Sequence, residues 1–162
     1  MRLQSRIEKI VIDAGKVTGV ITSKDEFINT ENIIVAVSPR ILHKLLGKQL
    51  NLPKVTEYPI TTVYLQYSAQ FRLKAPIIGL SNSLSQWIFD RSDQSPGLIA
   101  VVISGPGEHE LLTKLQLIEQ VITDLTGILP ELPHHYLATH VIREKRATFS
   151  CGVVDILVGN LP

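Results

Sequence analysis

The stretch Ile60-Thr-Thr-Val-Tyr-Leu-Gln-Tyr67 is the part of the sequence that decides the fold. Successive side chains of a β-strand point to opposite faces of the sheet, so positions 60, 62, 64 and 66 share one face and the intervening positions share the other. Both faces mix apolar side chains with hydroxyl-bearing ones. This pattern predicts a strand whose sheet has a core on one side and a pocket or a helix on the other.

Further strands and a long helix follow this segment. Apolar, β-branched and aromatic runs predict strands at residues 85–90, 97–104 and 136–142. Between the last two, apolar residues at helical spacing predict a helix over residues 108–129. Its apolar stripe consists of Leu111, Leu115, Ile118, Ile122, Leu125 and Leu129. We therefore predict an α+β fold, with a mixed, largely antiparallel sheet and helices on one face.

The first 47 residues carry a separate group of short strands. Residues 6–13 and 17–22, joined by a turn at Gly15, predict a β-hairpin, and residues 26–28 predict a short third strand. Residues 33–37 form a continuous, mostly β-branched run of the kind that is buried on both faces in a parallel sheet. Ser38-Pro39 then predicts a helix start and Gly47 its end. The buried strand indicates that this part of the chain ends inside a larger assembly.

Composition excludes several classes of protein. The 162 residues include 16 Lys+Arg and 15 Asp+Glu, for a formal net charge of +1, which disfavours nucleic-acid binding through a basic face. With 44% hydrophobic residues the chain is too apolar for intrinsic disorder. Its longest apolar runs are far below the roughly 20 residues that cross a bilayer, and the N-terminus lacks the apolar region of a signal peptide. We expect a soluble cytoplasmic domain without a transmembrane segment.

Familiar nucleotide and nucleophile motifs are incomplete. Residues 104–107 form a Gly-rich turn between a predicted strand and helix, but Glu110 stands where the nucleotide fingerprint needs a small residue. Residues 79–83 lack the second glycine of a G-x-S-x-G elbow. Cys151 has no base beside it in the sequence. These residues are more consistent with structural roles.

The histidines His134, His135 and His140 are the one candidate metal cluster. Such a set binds a metal when a carboxylate or a thiolate completes it. Here the histidines flank a proline-rich turn that enters a strand, which favours solvent-exposed positions. We therefore expect no metal site.

Several segments together resemble a known family. The segments Y-P-I-T-T-V-Y-L-Q-Y (58–67), Q-W-I-F-D-R (86–91) and E-K-R-A-T-F (144–149) resemble the squalene-associated FAD-dependent desaturases, also called hydroxysqualene dehydroxylases. The early segments R-I-E-K-I, K-V-T-G-V-I and I-I-V-A-V-S-P resemble flavin amine oxidases and phytoene desaturase-like proteins more broadly. The resemblance covers roughly residues 1–150 and is most specific in the last two of the three named segments.

The resemblance implies two domains and an FAD cofactor. Residues 1–47 would be part of an FAD domain, residues 48–150 a substrate-binding domain, and residues 151–162 an atypical tail. The positions that match cofactor-binding positions of the family are Ile7, Ala36 and Ser38.

The implied substrate is a squalene-like isoprenoid, undergoing dehydroxylation or desaturation in hopanoid or terpenoid biosynthesis. Trp87 and Phe89 lie two residues apart on one predicted strand face, and Tyr64 lies on another strand. Aromatic faces suit polyene chains and carbocation-like transition states, so we expect these three to be substrate-binding residues. The catalytic residue is left open.

The sequence also departs from the family pattern. It has neither the N-terminal G-x-G-x-x-G unit nor the C-terminal glycine-aspartate segment, so the resemblance predicts a middle fragment that is inactive alone and lacks FAD-domain segments. Thr62 stands where amine-oxidising relatives usually carry a lysine, which disfavours amine oxidation. The alternatives are a flavin amine oxidase or carotenoid desaturase fragment, and a freestanding lipid- or small-ligand-binding module. An exposed apolar face would favour a homo-oligomer, and a lipid substrate would favour a place at the membrane periphery.

Overall fold

The computed structural model describes residues 2–47 and 56–150. The chain divides into two compact units, one containing the described residues 2–47 and the other Thr56–Ser150. The described part confirms the α+β class, with two antiparallel sheets and two α-helices. The predicted tail at 151–162, with Cys151, and residues 48–55 of the predicted substrate-binding domain lie outside the described residues.

The first unit is a small antiparallel sheet with one helix. Its strands β1 (Ile7–Asp13), β2 (Lys16–Thr22) and β3 (Phe27–Asn29) follow one another in the order β1-β2-β3, as predicted from the hairpin pattern. Ala14 and Gly15 both have positive φ, which gives the turn the twist that a tight hairpin requires. Helix α1 (Pro39–Leu46) begins after Ser38, whose side chain makes no capping hydrogen bond. The buried core of this unit consists of Ile10, Leu45 and Leu46.

The prediction of a strand at residues 33–37 is wrong for this structure. These residues form neither a strand nor a helix, and no backbone hydrogen bond joins them to another residue of the described chain. Ile34 is 98% exposed. A strand exists only when a neighbour accepts and donates its backbone hydrogen bonds, and a β-branched run cannot supply that neighbour itself.

The second unit is a five-stranded antiparallel sheet with a helix on one side. Its strands are β4 (Glu57–Gln66), β5 (Ile77–Gly79), β6 (Trp87–Asp90), β7 (Leu98–Ser104) and β8 (Ala138–Phe149), in the order β5-β6-β7-β4-β8. Helix α2 (Lys114–Ile128) packs on the face that carries the odd positions of β4. Fully buried side chains of this core include Val63, Leu65, Ile88, Val101, Leu117, Val121 and Leu125. The alternation predicted for residues 60–67 is therefore confirmed.

The predicted helix at 108–129 begins too early. Residues 108–110 form a separate 3₁₀ turn, and α2 starts only after Thr113. Thr113 and Gln116 form a capping box, in which the side chain of each residue forms a hydrogen bond with the backbone of the other. The helix starts at this capping box, although the apolar spacing continues upstream. Leu111, which precedes α2, and Leu115, in the first turn of α2, are both exposed and do not belong to the buried stripe. Sequence spacing also missed the short strand β5 and the second half of β8.

Asp124 on α2 forms hydrogen bonds with the loop that precedes β6. Its carboxylate accepts hydrogen bonds from the Ser83 hydroxyl at 2.8 Å, the Ser85 hydroxyl at 3.2 Å and the Ser85 amide at 3.2 Å. Burial raises the pKa of Asp124, but these hydrogen bonds and one from Gln120 outweigh it, and the pKa lies below its usual value of 3.8. Ser85 is fully buried, and its hydroxyl donates its hydrogen bond to this carboxylate.

Acid should therefore weaken this unit. A carboxyl whose pKa is lowered on folding stabilises the protein above its unfolded pKa and loses that contribution as the pH falls through the folded pKa. We expect a free energy of unfolding that is steady above about pH 5 and falls below about pH 4. Urea denaturation across this range measures it. Asp124→Asn should cost about 1–2 kcal/mol at pH 7, a low value because the side chain is partly solvated, and should flatten the acid limb. An unchanged acid limb in that variant would contradict the assignment.

Candidate ligand-binding face

Within the second unit, helix α2 covers only one side of the sheet. We call the other side, opposite α2, the open face. Residues paired directly across antiparallel strands point to the same side, so the register identifies its members. One row across the sheet runs Ile77, Phe89, Ala100, Tyr64, His140. The adjacent row runs Gly79, Trp87, Val102, Thr62, Ile142.

All three residues predicted to bind substrate lie on the open face. Trp87 and Phe89 lie on β6, and Tyr64 lies on β4, with β7 between them. Trp87 pairs with Gly79, and a Cβ atom at Gly79 would lie 3.1 Å from the indole ring. The glycine thus leaves space for the indole at the β5 edge. Two strand spacings of about 4.8 Å separate the β6 aromatics from Tyr64, so a ligand can touch both.

The open face carries exposed apolar side chains on β5, β6 and β8. Ile77, Trp87 and Ile142 are 52%, 48% and 46% exposed, whereas Phe89 and Val102 are half-buried by their neighbours. A surface of large exposed apolar side chains on one sheet face favours burial against another apolar surface. This face can therefore hold an apolar chain or an apolar protein segment.

Side-chain hydrogen bonds hold both ends of β7 and the C-terminal end of β4 in place. The Gln86 side chain donates to the Ser104 carbonyl and accepts from the Ser104 amide, both at 3.1 Å. The Gln66 amide group donates to the Tyr67 and Pro96 carbonyls at 2.8 Å, and its oxygen accepts from the Ser95 hydroxyl. These contacts make the face a preorganised surface, which lowers the entropic cost of binding.

A cleft in the first unit contains two of the three predicted cofactor residues. It has a volume of about 420 Å³, and Ile7 and Ala36 line it together with Arg6, Lys44 and Leu45. Ser38 is not among its lining residues; it lies at the start of α1. Residues 33–37 form one wall and carry backbone groups without a backbone partner in the described chain.

These residues fit one end of FAD better than the other. A flat ring system such as adenine requires apolar contact and free backbone groups, and the wall at 33–37 offers both. A helix N-terminus binds a pyrophosphate well when no negative charge lies nearby. In the described residues, the Gly-rich turn at 104–107 is followed by Glu108 and Glu110, and Glu110 accepts a hydrogen bond from the Gly107 amide. Glu108 and Glu110 therefore disfavour a pyrophosphate at this turn.

The described residues offer neither a metal centre nor a membrane-spanning helix. No group of three His, Cys, Asp or Glu side chains in residues 2–47 and 56–150 is arranged to hold a metal ion. No helix in that same part of the chain is long and apolar enough to cross a bilayer.

Known structures share this fold. A "Putative protoporphyrinogen oxidase" from Exiguobacterium sp. 255-15 matches with a TM-score of 0.67 and 13% identity, over 92% of this chain and 36% of that chain. An oxidoreductase from Methanosarcina mazei matches with a TM-score of 0.63 and 14% identity, over 88% of this chain and 37% of that chain. This chain therefore has a fold found within oxidoreductases and spans just over a third of their length. No protein-family model and no curated protein matches the sequence.

Sequence reasoning missed other members of the open face, among them Ile77 and His140. Ile77 lies on β5, which is three residues long and too short to give a periodic signal. His140 falls beside His134 and His135 in the sequence, although the register places it opposite Tyr64. Only the pairing of β4 with β8, which joins residues more than 70 positions apart, reveals that neighbour.

Proposed function

We propose that this chain provides the substrate-binding face of an FAD-dependent oxidoreductase that acts on a squalene-like isoprenoid. The observation that carries the proposal is the open face, where Tyr64, Trp87 and Phe89 share one side of a sheet with exposed aliphatic side chains. The fold shared with oxidoreductases and the motifs at 86–91 and 144–149 add support.

The chain's own contribution would be to bind and orient the substrate. Burying a large apolar side chain against a ligand is worth about 1.5–3 kcal/mol, so a few such contacts hold an isoprenoid firmly. Aromatic rings at Trp87 and Phe89 would stabilise positive charge developing on the chain and exclude water. Bound FAD supplies the redox chemistry of dehydroxylation or desaturation.

The cofactor would be shared with FAD-domain segments outside the described residues. The unpaired wall at 33–37 supports this part of the proposal, because its backbone groups would gain hydrogen bonds from an added strand. We accordingly expect the chain alone to be inactive and to bind FAD weakly. Tight, stoichiometric FAD binding by the 162-residue chain, measured by equilibrium dialysis, would contradict this. A cytoplasmic location, peripheral to the membrane, follows from the lipid substrate as part of the same proposal.

Trp87 makes the proposal directly measurable, because it is the single tryptophan of the chain and lies on the open face. Farnesol, a C15 isoprenoid alcohol, is a suitable probe. Titration should shift Trp87 emission to shorter wavelength and saturate, since the half-exposed indole loses contact with water. Unchanged emission with farnesol would count against the open face as the site. A parallel measurement of sedimentation separates ligand binding from the alternative that a second copy covers the face.

Phe89→Ala should weaken farnesol binding by about tenfold, because it removes an aromatic contact worth roughly 1.5 kcal/mol. The readout is the dissociation constant from Trp87 fluorescence. Leu115→Ala is the matched control, since Leu115 is an exposed apolar residue on α2, across the sheet from the open face. Equal weakening in the two variants would show that the probe binds without regard to face.

A further inference from the structure

The row that runs from Ile77 to His140 changes character along its length, whereas Ile142 keeps the neighbouring row apolar at β8. From β5 to β7 this row is apolar, because its members there are Ile77, Phe89 and Ala100. The same row then ends in two polar side chains, Tyr64 on β4 and His140 on β8. Four strand spacings of about 4.8 Å make the row about 19 Å long.

Tyr64 and His140 are immediate neighbours. They are directly opposed in the antiparallel β4–β8 pair, which places their Cβ atoms about 4.5–5.5 Å apart on the same side of the sheet. At this separation both side chains can reach one small polar group of a ligand. A phenol and an imidazole can each donate and accept a hydrogen bond.

Neither side chain has a hydrogen-bonding partner in the described part of the chain. No hydrogen bond or ion pair within residues 2–47 and 56–150 involves the Tyr64 hydroxyl or the His140 ring. Gln66, the next polar residue along β4 on this side, is by contrast fully engaged with the 95–96 loop. The pair therefore has hydrogen-bonding capacity that the described fold itself does not use.

We propose that Tyr64 and His140 form a polar anchor that binds the hydrogen-bonding end of an otherwise apolar ligand and so fixes its direction on the open face. The ligand's polar end lies over β4 and β8, and its apolar chain runs across β7 towards Trp87 and Ile77. This inference rests on the proposed function, because it takes the open face as the ligand site. The pair acts as a specificity-determining element and takes no part in bond making or breaking.

The test compares two probes that differ in one group, farnesol and the hydrocarbon farnesene. Trp87 fluorescence reports the binding of both, since the apolar chain lies over the indole in either case. The wild-type chain should prefer farnesol by about two- to tenfold, the range of one hydrogen bond. Tyr64→Phe and His140→Ala should each remove most of that preference, because each raises the farnesol dissociation constant more than the farnesene one.

His134→Ala is the matched control, because His134 is an exposed histidine outside the paired strands. It should leave the preference intact. Thermal midpoints of all variants verify that the sheet is preserved. Tyr64→Phe keeps the aromatic ring, so it still tests the anchor if His140→Ala does not fold.

The outcomes distinguish failure of the polar anchor from failure of the proposed function on which it rests. Equal wild-type affinity for farnesol and farnesene would overturn the anchor and leave the open face as an apolar site. A preference that survives in both Tyr64→Phe and His140→Ala would also overturn the anchor. Absence of binding by either probe would overturn both proposals together.

Discussion

Gly97→Ala should destabilise the second unit by about 2–5 kcal/mol. Gly97 has a φ of +82°, where a side chain costs roughly 1–2 kcal/mol. A Cβ atom there would collide with the Ser68 carbonyl oxygen and would lie 2.7 Å from that of Tyr67. Both are backbone atoms of the segment that follows β4, so relief requires the chain to move, which adds about 1–3 kcal/mol. The Gly97 carbonyl also accepts the Tyr67 amide at 2.9 Å, and that bond would be strained.

Gly105→Ala is the control that isolates the clash. Gly105 lies in the same unit with a φ of +85°, but a Cβ atom added there would have no other atom of the described chain within 4 Å. We expect a loss of about 1 kcal/mol there, from backbone conformation alone. Urea denaturation followed by circular dichroism gives both values. Equal losses at the two positions would mean that the close approach of Gly97 to Ser68 is not a constraint.

The faces of the main sheet could be predicted from sequence because alternation is a local property. Residues 60–67 show it directly, and the structure buries Thr61, Val63 and Leu65 while leaving Tyr64 half-buried on the other side. The strand prediction for residues 33–37 is wrong because strand formation also depends on a non-local partner. Their strand propensity is strong, but a strand is a property of a pair, and the described chain contains no partner for them.

The start of α2 shows a second limit of sequence patterns. Apolar spacing continues smoothly through Leu111 and Leu115, so periodicity alone extends the helix upstream. The Thr113–Gln116 capping box is a local sequence signal for a helix start at Thr113, and a search for apolar periodicity alone does not detect it.

The candidate site was predictable in composition and unpredictable in arrangement. Aromatic character selects Tyr64, Trp87 and Phe89 from the sequence, and the register places all three on one face. Their polar neighbour His140 depends on how β4 and β8 align, and that alignment is set by long-range packing rather than by either strand.

Two adjacent residues of β6 should give opposite results when each is replaced by aspartate. Ile88 points into the core and is fully buried, whereas its neighbour Trp87 is 48% exposed on the open face. Ile88→Asp places an unpaired carboxylate among Val63, Val101 and Leu117, which we expect to cost more than about 4 kcal/mol and to unfold the second unit.

Trp87→Asp should instead fold, with a loss of stability within about 1–2 kcal/mol, because its carboxylate stays hydrated. It should lower farnesol affinity at least tenfold, since it removes the largest apolar contact and adds a charge where the ligand chain lies. Calorimetric titration replaces fluorescence here because the tryptophan is gone. Unfolding of both variants would mean that the open face is a second core covered by another segment, and intact farnesol binding by Trp87→Asp would remove this face as the ligand site. The alternation of a four-residue strand thus decides between a packed interior and a binding surface.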